Sequence, residues 1–550
     1  MSSKKTENLG LHTWVSDDYV QMTEFNENFQ KIDEKTGELL TNSQGANDKI
    51  VEITEQLAQT VLHLGYYGIL TNVDDTDLLQ SAIDSGYTNI IIPTATLNSV
   101  VFLDQTAYKL TLTGTITHKD GAKGDMFKSG VGTSFEIVGQ GATLDGNFTN
   151  QVTRTSLINI TGAKSCIVTN IDFKNIKRRA ILGEQSDIRL LQVQNCNFLD
   201  AALHGGIAGQ GTGFIATHGG DLTVIDRCTF KQTATPIAGQ NRNPGGVFVS
   251  GQNPEKVIEV TNCHFENLGH NIAGNLESPL DIYSFARKVI MFGNTFKKSR
   301  FNPFRVTNTD VSEIKRNHVI QDVAIINDGG GGYADASCFS CGIVGRGFTV
   351  NNKDNSVYII EENHFEINGV NCRAITASND SLLYKVSKLI SKNNIFRSSD
   401  GNTAIGIFAN KVKDVIVEDC DIIGFNEVVR VQSTDLDALA NEIASITVRK
   451  GNFKGTSGVY ARTSVSNLNV MLDEINLFNT TQLPFTVRGA KNVTVRHCTL
   501  PKISTGDTSA NAMFYFYNND VNYTADPAGY STNEYYRLYN NKGRADIASS

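Results

Sequence analysis

The chain is poor in charge, poor in proline and free of long apolar runs. Asp, Glu, Lys and Arg together make up only 19% of 550 residues, while 40% are hydrophobic. That balance excludes a disordered chain. Nine prolines set against 48 glycines describe an ordered, turn-rich protein. No stretch of 18 apolar residues occurs, so no helix is expected to span a membrane. A basic patch is missing as well, and the formal net charge of −8 argues against nucleic acid as a partner. Behind Met1-Ser2-Ser3-Lys4-Lys5 there is no apolar stretch of the secretory kind, so folding in a cytoplasm is expected. No nucleophilic triad or phosphate loop is recognisable, and no cofactor is expected. Cys338 and Cys341 form the one Cys-x-x-Cys among nine cysteines, without a second pair or a His pair at metal spacing. No metal is therefore expected.

What is present is a repeat. At this length several domains or one solenoid are expected, and one motif recurs from about residue 160 to 505. Segments end on Phe173, Phe198, Phe230, Phe265, Phe296, Val319, Phe365, Phe396, Ile422, Phe453, Leu477 and Leu500, in steps of 23 to 46 residues. Five residues before these anchors stand mainly Val, Ile and Leu, with polar residues such as Asn195, Arg227, Asn262, Arg316, Glu362 and Lys450 between. That alternation is a strand with one buried face. Two residues before the anchors runs a column containing Cys196, Cys228, Cys263, Asn294, Asn317, Asn363, Asn394, Cys420 and Cys498. Small thiols and an asparagine ladder suit an inward turn position repeated coil after coil. A period near 30 residues is short for a four-stranded propeller blade. The expected fold is all-β: a right-handed, single-stranded parallel β-helix.

The first coils are expected upstream. Thr76 to Asp84 reads as an amphipathic helix capped by Asp74 or Asp75, feeding a buried strand and covering the open end of the solenoid. The stretch from Gly65 to Pro93, with its Asp-Asp-Thr and Ala-Ile-Asp pieces, and the Leu144-Asp145-Gly146 turn resemble the opening of pectate-lyase-like tail-spike and glycan-degrading families. Pro93-Thr94-Ala95-Thr96-Leu97 departs from the family by lacking its Gly and Tyr.

Before the coils, Met22, Phe25, Phe29, Ile32, Thr36, Leu39, Ser43, Ala46, Ile50, Ile53, Leu57, Thr60 and Leu64 alternate steps of three and four. This is a heptad seam, interrupted at Gly37 and Gly45. Ile50 and Ile53 favour three strands, and hence a homotrimer; an amphipathic helix packed on its own β-helix is the alternative. Leu9-Gly10-Leu11, Trp14 and Phe25-Asn26-Glu27-Asn28-Phe29 resemble the N-termini of tail proteins from phages of Gram-positive, Bacillus-type hosts. The resemblance implies docking to a phage tail or baseplate protein through residues 1–40, and location in the virion tail. We expect an attachment and stalk segment at 1–64. The β-helix should fill 65–505, with cap and first coils at 65–155 and regular coils at 156–505. An aromatic-rich cap at 506–550 follows, where seven tyrosines serve as cap, trimer contact or glycan platform.

Long insertions at 200–221, 235–254, 269–287 and 325–347 crowd neighbouring coils and suggest a groove or protomer interface. Glycoside hydrolysis needs two carboxyls about 5–9.5 Å apart, a span that stacked strands about 4.8 Å apart supply. Glu277 and Asp281 fall on one outward face, about 13 Å apart if extended, with Leu280 and Ile282 inward. Each needs a partner from another coil, and Asp200, Asp310, Asp328 and Asp335 are available. The catalytic candidates are Glu277, Asp281, Asp200 and Asp335. His204, His218 and His270 lie in Gly-flanked loops, and Arg300 and Arg305 suit an anionic sugar or phosphate; His204, His270, Arg300 and Arg305 are the binding candidates. His264, His318 and His364 are expected as outward ladder residues, and Asp328 to Asp335 as a loop that could hold a cation. Together with the pectate-lyase-like and pre-neck-appendage resemblance, this implies a tail spike that binds and cleaves a bacterial surface glycan or teichoic acid by carboxylate chemistry. A non-catalytic receptor-binding adhesin is the alternative, and a secreted lyase the third.

Overall fold

Strands in this chain stack on themselves. The computed structural model describes residues 4–5, 12–13 and 61–539, apart from 105–106, 123, 148–154, 184–187, 202–212, 234–243, 252–254, 273–274, 324–336, 344–355, 369–371, 380–385, 400–403, 433–443, 463–467, 478–484, 489, 501–512 and 522–535. The heptad seam before Val61, Trp14 and the Asp328–Asp335 loop lie outside the described residues.

Three parallel sheets wind around one core as a parallel β-helix. The first begins at Leu62–His63 and Asn89–Ile92 and continues through Leu190–Gln194, Leu222–Asp226 and Val257–Thr261. It reaches Met513–Tyr517 and Tyr536–Tyr539, so the ladder runs on beyond residue 505. The second sheet carries the anchors: Phe173, Phe198, Phe230, Phe265, Phe296, Val319, Phe365 and Phe396 are rung partners in unbroken register. The third includes Gly213–Thr217, Gly245–Gly251, Ser337–Ile343, Arg373–Asn379 and Ile405–Asn410. Among the described residues two pairings are antiparallel: Lys4–Lys5 with His12–Thr13, and His270–Ile272 with Asn275–Glu277.

The recurring hydrophobics supply the core. The rings of Phe173, Phe198, Phe230, Phe265 and Phe296 stack at centroid spacings of 4.6–4.8 Å. Each such pair is worth about 0.5–1.5 kcal/mol beyond its buried area. The Cys/Asn column does turn inward. Asn294, Asn317 and Asn363 each accept a neighbour's backbone N–H and donate Nδ2–H to the next coil. Cys196, Cys228 and Cys263 direct their thiols at carbonyls one coil back, 3.6–3.8 Å away. Cys338 and Cys341 are buried too, with Cys338 Sγ 3.5 Å from Cys372 Sγ.

The corner between first and second sheets has a physical signature. The residue just before each Cys or Asn of the column adopts the left-handed region: φ is +52° at Asn195 and Arg227, +56° at Glu362 and +51° at Asp419; Lys450, before Gly451 in the same column, has φ +50°. One such residue reverses the chain and points the next side chain into the core. An L-residue there costs about 1–2 kcal/mol, which the ladder hydrogen bonds offset.

Helix Thr76–Asp84 buries Leu79, Ala82 and Ile83 over the first coils. Its first turn is capped by Asp74, whose Oδ1 accepts from Thr76 N–H and Oγ1–H. Asp75 instead accepts N–H bonds from Thr71, Asn72 and Thr96, fastening the preceding loop to a coil.

Candidate functional site

The insertions share one corner. Segments 202–212, 234–243, 273–274 and 324–336 each fall between a second-sheet strand and the next third-sheet strand. Each therefore precedes a strand of the third sheet, a sheet with one face turned outward.

Alternation assigns that face. In the third sheet Val247, Leu280, Phe304, Phe339, Ile375, Ile407, Val429 and Val459 point into the core. One residue later, on successive rungs, stand Phe248, Asp281, Arg305, Ser340, Thr376, Phe408, Arg430 and Tyr460. At about 4.8 Å per rung the column is about 34 Å long. It mixes rings and guanidinium groups. Arg373 lies over the Phe408 ring at 4.1 Å and Arg430 over Tyr460 at 4.8 Å, while Arg430 also pairs with Glu427. Tyr283, two residues beyond Asp281, has its hydroxyl pKa raised, chiefly by burial; Arg305 opposes that shift and Asp281 adds to it.

Asp281 and Arg305 meet each other. They are rung partners, and Arg305 Nε–H donates to Asp281 Oδ1 at 2.9 Å while Nη2 reaches Oδ2. Their side chains are 1% and 8% exposed. A bidentate guanidinium in so dry a place holds the carboxylate as an anion, which suits a positioning group better than a proton donor.

The other predicted residues are spread over separate places. Asp200 occupies a left-handed turn, φ +52°, and its carboxylate accepts from the Thr233 N–H and hydroxyl at 2.7–2.8 Å. Arg300 is half-buried, donates its N–H to Leu268 O, and keeps Nε buried with no hydrogen-bond partner among the described residues. His270 and Glu277 face each other as backbone partners of the insertion hairpin; their side chains lie outside the described residues. So do His204 and Asp335. His218, at the end of a third-sheet strand, presents its carbonyl to the buried Lys256 ammonium. Among the described residues, then, the structure joins Asp281 with Arg305 and leaves Asp200 apart.

Sequence reasoning misses the groups that continue this face: Arg373, Phe408, Arg430 and Tyr460. Their signal is a second alternation following each anchor, as in Val429-Arg430-Val431 and Val459-Tyr460-Ala461.

No protein-family model matches the chain, and no curated protein matches it. Solved structures do. The surface protein and adhesin PfbA of Streptococcus pneumoniae aligns at 17% identity over 78% of this chain and 100% of its own, with a TM-score of 0.40. The mannuronan C-5 epimerase AlgE6 A-module of Azotobacter vinelandii aligns at 16% over 78% and 98%, TM-score 0.32. A mutant tailspike protein of E. coli bacteriophage HK620, in complex with pentasaccharide, aligns at 14% over 89% and 80%, TM-score 0.34. At such values the likeness carries no argument about activity, which has to come from this chain's own residues.

Proposed function

We propose that the chain is a bacteriophage tail spike that binds a bacterial cell-surface polysaccharide or teichoic acid along the outer face of its third sheet. The observation that supports this most is the pairing of guanidinium and ring on neighbouring rungs, Arg373 with Phe408 and Arg430 with Tyr460. A sugar ring offers an apolar face and a hydroxyl rim, which match an aromatic face beside planar donors. A teichoic acid adds phosphates, which suit the same guanidinium groups. Because the rungs sit at a fixed step on a rigid scaffold, the groups that meet a polymer are held in place at little ordering cost. The N-terminal resemblance adds docking to a tail or baseplate protein through residues 1–40 and location in the virion tail, and the heptad seam with Ile50 and Ile53 adds a trimeric spike.

Two versions of this function differ in chemistry. In the adhesin version the face only binds, and the engagement of Asp281 by Arg305 and of Asp200 by Thr233 favours it. In the depolymerase version Glu277 and Asp335, both from the insertion corner, supply the acid and base. Incubating the full chain with host cell walls separates them. Retention on unchanged walls marks the adhesin; released saccharide or phosphate that disappears in Glu277→Gln marks the enzyme. In either version Tyr460→Ala and Arg430→Ala weaken wall binding about tenfold, the equivalent of about 1.4 kcal/mol. Undiminished binding in both variants would remove the third-sheet face from the proposal.

A further inference from the structure

On the outer face of the second sheet, His318 and His364 are rung partners. Their rings stack with centroids 4.9 Å apart and planes within 7°. Glu366, two residues after His364 on the same face, brings Oε1 to 3.2 Å from His318 Nε2 and 3.5 Å from His364 Nε2. The three ligand atoms all lie within 4.8 Å of one another. We propose that His318, His364 and Glu366 form a binding site for one divalent late-transition ion of the zinc type, linking two consecutive coils.

The distances fit the ion. Zinc bonds to imidazole nitrogen and carboxylate oxygen are about 2.0–2.2 Å, so neighbouring ligand atoms of a tetrahedron sit about 3.3–3.5 Å apart. Both Nε2–Oε1 separations are already near that edge. The third edge closes by rotation about the broad χ2 torsion of either imidazole. Two nitrogens and one oxygen select zinc, copper or nickel over calcium and magnesium, which favour all-oxygen sets. The side chains are 35–39% exposed, while the His364 Nε2 atom itself is buried without a hydrogen-bond partner among the described residues, a buried acceptor that a bound ion would satisfy. Burial, the largest influence on His364, lowers its proton affinity, with Glu366 opposing and His318 and Arg397 adding to the effect. Arg397, the rung neighbour of Glu366, directs Nη2 toward Asp421 Oδ2 at 3.8 Å.

The same face contains its own control. His264 and Glu266 repeat the His-x-Glu step, but the rung neighbours of His264 are Thr229 and Thr295, and Lys231 Nζ holds Glu266 at 2.9 Å. That position offers two ligands and a competing cation.

The test is calorimetric titration of the chelator-stripped full chain with ZnCl2, and with CaCl2 in parallel. One saturable zinc site is expected, weakened at least about tenfold by each of His318→Gln, His364→Gln and Glu366→Gln and unchanged by His264→Gln. Co²⁺ should give a visible d–d band that His364→Gln abolishes. Zinc binding indifferent to all three substitutions, absent altogether, or matched by calcium overturns the proposal.

Discussion

Replacing Asp281 by Asn tests whether this carboxylate holds the third sheet together or is available for chemistry. The side chain is 1% exposed and meets Arg305 at two points, Nε–H to Oδ1 at 2.9 Å and Nη2 to Oδ2. An amide keeps the shape but removes the charge, and it turns an NH2 toward a guanidinium that can only donate. Breaking one partner of a buried pair costs about 3–5 kcal/mol, since the other charge is stranded. Replacing both, as Asp281→Leu with Arg305→Met, removes the stranded charge and should restore stability to within about 1 kcal/mol of the native chain. A coil stack opens locally rather than all at once, so the suitable assay is hydrogen exchange read on peptides spanning Leu280–Tyr283 and Phe304–Thr307. The single variant should exchange faster there by roughly two to three orders of magnitude, at about 1.4 kcal/mol per factor of ten. The double variant should return close to native protection. Native protection in Asp281→Asn, coupled with loss of saccharide release from cell walls, would refute the reasoning and restore Asp281 as a reacting acid.

Two further predictions follow from the core. Asn317→Ala removes the acceptor for the Asn294 N–H and Nδ2–H and a donor to Asn363 Oδ1; at about 1–3 kcal/mol for each buried group left unsatisfied, protection of the Asn294 amide should fall at least about tenfold, and unchanged exchange there counts against the ladder. His118 is fully buried, and desolvation pulls its pKa down to about 4 from 6.5, with Asp125 opposing. Between those values the unfolded chain binds the extra proton, so the contribution is fully present above pH 6.5 and is lost as the pH falls toward 4, up to about 3 kcal/mol. Denaturation midpoints of His118→Gln should be flatter across that window than those of the native chain, and parallel curves would reject the assignment.

What can be read from a coil's sequence depends on how far a position lies from something that must match on the next rung. Phe198, Phe230 and Phe265 stack ring on ring, so their neighbours in sequence inherit a fixed place. The inward Cys and Asn column is readable for that reason. The left-handed corner is less visible, because Arg227, Glu362 and Lys450 look like ordinary outward polar residues and only the inward residue that follows reveals the turn. The third sheet begins after connections of unequal length: Phe304 follows Phe296 by eight positions, whereas Phe339 follows Val319 by twenty. No column can be counted through such gaps, and the Asp281–Arg305 pair therefore emerges only in three dimensions, although each member has the right chemistry on its own. The histidine ladder makes the same point from the opposite side. His318 and His364 are legible as outward rung partners, yet a rung assignment says nothing of what two stacked imidazoles do with a carboxylate. That depends on Glu366 standing two residues along the same strand, on the face where a ladder without it would be only surface.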